Sequence, residues 1–121
     1  MNSANQTATR VNSKIDDVLS PELFLWGINT PVCAAYLINK PTFTLGKAET
    51  CNGVLAFSDE ISREHARITC RDGVYYISDL GSTNKTYLNG QLLIPNEETQ
   101  LNVGDRITLS VYSFSVDHIN R

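Results

Sequence analysis

No window of this chain longer than about one turn keeps apolar residues at the 3.6-residue spacing of a helix. Short apolar runs bounded by Gly, Pro, Asn and Asp recur instead about every eight to twelve residues, the rhythm of a β-sandwich or barrel. The candidate strands are Leu23 to Ile28, Val32 to Ile38, Thr42 to Gly46, His65 to Arg71, Val74 to Leu80, Gln91 to Ile94 and the stretch after Gly104. Asp72-Gly73 and Asn89-Gly90 stand between such runs, and both dipeptides suit the two positive-φ positions of a type I′ hairpin turn. In "RITLSVYSFSVD", Ile107, Leu109 and Val111 share one face while Phe114 and Val116 fall in the opposite phase. A turn or bulge near Tyr112 must therefore reset the register. Ala66, Ile68 and Cys70 alternate with Arg67, Thr69 and Arg71, which puts the two arginines on a solvated outer face.

A length of 121 residues is that of one ordinary domain, and 41% hydrophobic with 19% charged residues is the composition of a globular one. No apolar run approaches the roughly 20 residues that span a bilayer, so no membrane partner is expected. The opening "MNSANQTATRVNSKIDD" lacks the apolar centre of a secretory signal, and the expected location is the cytoplasm. Residues 1–20 are rich in Asn, Ser and Thr and read as a flexible tail ahead of a domain over 21–121. Within the tail, Ser13 can cap one helical turn carrying Ile15, Val18 and Leu19 and stopped by Pro21. Cys33, Cys51 and Cys70 are odd in number and contain no Cys-x-x-Cys pair, so they read as reduced thiols filling the core, with no metal site. A net charge of −3 gives no broad footprint for nucleic acid, and any anion site must be small.

Polar residues gather in three connections, "LGKAETCNGV", "SDEISREH" and "LGSTNKTYLNG", and loops on a rigid sandwich are where function resides. They supply Lys47, Ser62, Arg63, Ser82, Thr83, Asn84 and Lys85, hydroxyl, amide and cationic donors suited to an oxyanion. Singly, Ser62 can start a turn, Asn84 can form an Asx-turn and Lys47 can be a solvated cation. Their joint occurrence favours an anion pocket. His65, at the start of an inward-facing strand, reads as a hydrogen-bonded structural histidine. A hydrolase built on Ser62, His65 and Asp79 is disfavoured, because there is no Gly-x-Ser-x-Gly elbow and a serine three positions before its base on a loop entering a strand rarely faces it.

Gly46-Lys47, "ISREH" (61–65), "DLGSTNKTYLNG" (79–90) and "LNVGDRITL" (101–109) together resemble the forkhead-associated (FHA) domain, in its order and intervals, over roughly residues 23–118. The resemblance implies an all-β, two-sheet antiparallel β-sandwich of about eleven strands that binds phosphothreonine peptides through loops at one end. It implies a bacterial-type interaction module of Ser/Thr kinase signalling, without catalysis or cofactor, whose partner is a phosphothreonine protein. By the same resemblance, Ser62 bonds the phosphate, Lys47 stands where most members have arginine, and Arg63 adds a contact. Thr83 reaches the phosphate, and Asn84 fixes the peptide main chain. Gly46 and His65 are structural, His65 bracing the loops.

Two positions depart from the family pattern. Lys47 is a point charge in place of a planar fork, which keeps attraction and gives up bidentate recognition. Asn84-Lys85-Thr86 replaces Asn-Gly-Thr, so Lys85 must take a positive φ at about 1–2 kcal/mol, near the bound peptide. The exchange at Lys47 keeps open a phosphate-independent scaffold of the same fold. Thr7 or Thr9 of the tail, once phosphorylated, is a further candidate ligand, present at millimolar effective concentration.

Overall fold

The structure, a computed structural model, describes residues 23–118. The expected tail over residues 1–20, its helical turn, and Thr7 and Thr9 lie outside them. The described residues form eleven strands and no helix: β1 (Leu23–Gly27), β2 (Ala35–Ile38), β3 (Thr42–Gly46), β4 (Gly53–Val54), β5 (Ala66–Arg71), β6 (Val74–Asp79), β7 (Thr86–Leu88), β8 (Gln91–Leu92), β9 (Thr99–Leu101), β10 (Arg106–Leu109) and β11 (Tyr112–His118). One sheet has the order β2-β1-β11-β10-β7-β8 and the other β4-β3-β5-β6-β9. The ladders are antiparallel except the short β3–β4 pair, which is parallel through Leu45 with Gly53 and Gly46 with Val54. Of the sandwich or barrel that the strand rhythm allows, this is the two-sheet sandwich that the family resemblance implies.

Turn chemistry sets three of the hairpins. Asp72 and Gly73 have φ of 54° and 78°, and Asn89 and Gly90 have 52° and 84°, the double positive φ of type I′ turns. The third, Ser110-Val111, joins Leu109 to its partner Tyr112, with φ of 60° at Ser110. It is this two-residue turn that resets the register. Directly paired residues point to the same side of a sheet, and Ile107 pairs with Phe114, so the inward set changes from odd to even positions across it. Val111 is consequently not an inward residue of the strand but an exposed turn residue.

The core lies between the sheets. Leu25, Ile107, Leu109, Phe114 and Val116 from one layer face Phe43, Leu45, Ala66, Ile68 and Ile77 from the other, all at most 4% exposed. Full burial of each Leu or Ile stabilises the fold by about 1.5–3 kcal/mol. On the outside, Arg71 forks onto the Glu98 carboxylate at 2.7 and 2.9 Å and lies 4.4 Å above the Tyr76 ring. Arg67 lies partly covered on the same face, its Nε buried without a hydrogen-bond partner.

Several elements differ from the sequence expectation. The last cross-strand pair of β1 and β2 is Trp26 with Ala35, so Val32 and Cys33 sit in the connection and Cys33 is exposed. Cys51 is buried and Cys70 intermediate, so only part of the thiol set fills the interior. The run from Gln91 is a strand for two residues only, Gln91–Leu92, with the Leu93 N–H continuing the same register to the Thr86 carbonyl at 3.0 Å. β4 and β9 lie outside the expected runs, and β7 is the run, given no bounds from the sequence, that precedes the Asn89-Gly90 turn. They are two or three residues long, and β9 (Thr-Gln-Leu) carries a single apolar residue.

Register brings the polar loops together. Leu45, Ala66 and Asp79 are successive cross-strand neighbours, and Thr86 pairs with Leu109. The connections after β3, before β5, after β6 and before β7, together with the β10–β11 turn, therefore leave the sandwich at one end.

Candidate functional site

Gly46 permits the first contact at this end. A Cβ on it would lie 2.1 Å from the Arg63 carbonyl oxygen and 2.8 Å from its carbon, both backbone atoms that cannot swing away. The absence of a side chain lets the two loops zip: Lys47 N–H donates to the Ser62 carbonyl at 3.0 Å and Ala48 N–H to the Arg63 carbonyl at 3.1 Å. Cys51 Sγ also lies 3.1 Å from the Arg63 carbonyl, and burial raises its thiol pKa.

Ser62 is held at three atoms. Its carbonyl accepts from Lys47, its N–H donates to His65 Nδ1 at 3.0 Å, and its Oγ accepts from Thr83 N–H at 3.0 Å. His65 is fully buried, and its Nε2 lies 3.0 Å from the Lys85 carbonyl. An amide N–H can only donate and a carbonyl can only accept, so the ring is the neutral tautomer with its proton on Nε2. Burial lowers the imidazole pKa below its ordinary value against the opposing pull of the Lys85 carbonyl and Asp79.

Asp79 organises the third loop. Its Oδ1 accepts from the Ser82 hydroxyl at 2.5 Å and the Thr86 hydroxyl at 2.7 Å, and its Oδ2 from the N–H groups of Gly81 and Ser82 at 2.9 and 3.0 Å. Burial alone would raise this carboxyl's pKa, but the hydroxyl and amide donors outweigh it and the net shift is downward. The Ser82 hydroxyl is thus consumed inside the loop and does not belong to the anion-facing donors. The arrangement Ser62–His65–Asp79 is not a hydrolytic triad either. Both ring nitrogens of His65 are engaged by backbone groups, and Asp79 is turned to its own loop.

Asn84 donates from Nδ2 to the Glu60 carbonyl at 3.0 Å, which fixes the amide and leaves Oδ1 as an acceptor. Lys85 adopts φ of 76°, and its carbonyl takes two donors, His65 Nε2 and the Ser110 N–H at 3.0 Å. The Ser110 hydroxyl bonds Glu60 Oε1 at 2.6 Å. Lys47 Nζ pairs with Asp59 Oδ1 at 3.1 Å. Arg63 and Lys85 are exposed and form no ion pair among the described residues.

The structure accordingly gathers Gly46, Lys47, Ser62, Arg63, His65, Thr83, Asn84 and Lys85 at one rim through a connected set of hydrogen bonds. Asp59, Glu60 and Ser110 complete the rim and had no signal of their own in the sequence, being ordinary polar loop residues. Asp79 did have one: an Asp two residues before a Gly N–H is an Asx-turn pattern. Among the described residues no group of His, Cys, Asp or Glu is placed to hold a metal ion, and no helix is long and apolar enough to cross a membrane.

Two β-sheets with a rim of braced polar loops at one end define a β-sandwich module. Residues 43–110 match the family model of the FHA domain, and the chain belongs to that family. It is 37% identical over 79 residues to the protein FraH of Nostoc sp., a match covering 65% of this chain and 27% of FraH. The chain therefore spans about a quarter of that relative's length. The solution structure of the FHA domain of an Arabidopsis thaliana hypothetical protein is 29% identical, with a TM-score of 0.72 over 92% of this chain and 97% of that one. A structure solved in a study of phosphothreonine-dependent FHA domain interactions is 25% identical, with a TM-score of 0.70 over 83% of this chain and 99% of the other.

Proposed function

We propose that this chain is a phosphothreonine-dependent protein interaction module of cytoplasmic Ser/Thr kinase signalling. Family membership and the phosphothreonine-dependent relative support the reading, and one observation in this chain carries it. The Ser62 hydroxyl is held in place as an acceptor by the Thr83 N–H, so its own proton is free to be donated outward, beside the exposed Arg63 and the half-exposed Lys47. A fixed hydroxyl donor flanked by two cations is a phosphate site in which each charge-assisted bond is worth roughly twice a neutral one. Asn84 Oδ1 would accept from the peptide main chain, and Lys85 would lie beside the peptide as an exposed charge. The partner is a phosphothreonine protein, with a phosphorylated Thr7 or Thr9 as an internal candidate.

Titration with a phosphothreonine peptide and its unphosphorylated twin tests this. Binding in the micromolar range, about −8 kcal/mol, is expected for the first and essentially none for the second. Affinity should also fall as pH drops through about 6, where the phosphate loses its second charge. Equal binding of the twin would make the chain a phosphate-independent scaffold instead.

A further inference from the structure

We infer that Asp59 is an internal counter-anion that occupies the phosphate-binding cation in the free protein and so limits the affinity of the site. The inference rests on the phosphothreonine reading above. Lys47 Nζ lies 3.1 Å from Asp59 Oδ1, and among the described residues it is the one cation of the candidate site already paired with a carboxylate.

The carboxylate is presented by a built turn. Ile61 N–H points to the Ser58 carbonyl at 3.4 Å, closing a β-turn over residues 58–61, and the Ser58 hydroxyl accepts from the Glu60 N–H at 3.0 Å. Beyond the tip, Asn84 holds the Glu60 carbonyl, Ser110 holds the Glu60 carboxylate, and Ile61 is buried in the core at 1% exposure. Asp59 is left as the free corner of an anchored turn, with Lys47 as its partner.

Asp59 thereby changes what a ligand gains at Lys47. A ligand carboxylate that displaces Asp59 exchanges one single charge for another and gains nothing there. A phosphate dianion brings two charges and gains. Acidic unphosphorylated segments are thus denied this cation, and every ligand that takes it first breaks the internal pair.

The test measures affinity and association rate of a phosphothreonine peptide with the wild type, Asp59→Asn and Glu98→Gln. The last removes the same charge at the far end of β5, where Glu98 pairs with Arg71. Asp59→Asn should bind about two- to fivefold more tightly, the range for release of an exposed ion pair. It should also associate faster and show a steeper salt dependence, while Glu98→Gln matches the wild type. Asp59→Asn binding no tighter than the wild type overturns the inference, as does an equal gain in Glu98→Gln. If no variant binds the phosphopeptide, the phosphothreonine reading itself fails. Inorganic phosphate, followed at the Lys47 ammonium by NMR, then decides the inference: Asp59→Asn should halve the half-saturating concentration or better, and identical saturation overturns it.

Discussion

His65 holds the carbonyl of Lys85 at 3.0 Å across 20 positions of sequence, and this bond ties the loop before β5 to the loop before β7. It accounts for the left-handed backbone at Lys85. Turning that carbonyl inward gives it the His65 and Ser110 donors, and two hydrogen bonds of about 0.5–1.5 kcal/mol each offset the roughly 1–2 kcal/mol of positive-φ strain.

The protonation of His65 is therefore coupled to folding. Above pH about 6.5 the ring is neutral in both folded and unfolded chains and contributes no pH dependence. Below it the unfolded ring takes a proton first, because burial lowers the folded value. Stability should fall from about pH 6.5 downward towards that lowered value, by up to about 1.4 kcal/mol per pH unit. Urea unfolding at several pH values, with NMR titration of the ring, checks this; a ring that titrates at or above 6.5 contradicts it.

Gly46→Ala should destabilise the fold by about 1–3 kcal/mol, because its methyl group meets two backbone atoms of Arg63. The Lys47 and Ala48 amide resonances should move with it, since both donate across the same contact. A loss under about 0.5 kcal/mol would show that the loops separate freely.

Ser62→Ala and Lys47→Ala should each remove a charge-assisted bond of about 1.5–3 kcal/mol and weaken micromolar phosphopeptide binding about 10- to 150-fold. Melting temperatures should stay nearly unchanged, because Thr83, whose N–H loses the Ser62 oxygen, is exposed to water. Lys47→Arg should tighten binding by adding a planar fork. Normal binding by Lys47→Ala would remove that residue from the site.

Lys85→Gly should change stability by less than about 1 kcal/mol, as relief of positive-φ strain opposes the greater freedom of glycine in the unfolded chain. The carbonyl that His65 and Ser110 hold is backbone and survives the exchange. Phosphopeptide affinity should weaken by well under 1 kcal/mol, through slower association at low salt with dissociation nearly unchanged. Abolished binding would instead make Lys85 the principal phosphate cation.

What the sequence determined by itself is local. The alternation through Ala66 and Ile68, the Asp72-Gly73 and Asn89-Gly90 turns, and the reset before Phe114 all depend on neighbouring residues, because side-chain period and turn φ are properties of a few consecutive positions. The donors Lys47, Ser62, Arg63, Thr83, Asn84 and Lys85 were legible as types for the same reason. Tertiary structure decided their partners. β9 is a strand only because β6 pairs with it, and Val111 is exposed only because the two-residue turn places it outside the ladder. Asp59 on Lys47, Glu60 under Asn84 and His65 under Lys85 are set by the registry of β3, β5, β6 and β7. Such contacts join residues 12 to 24 positions apart, and their geometry is set only once the two sheets have closed over a common core.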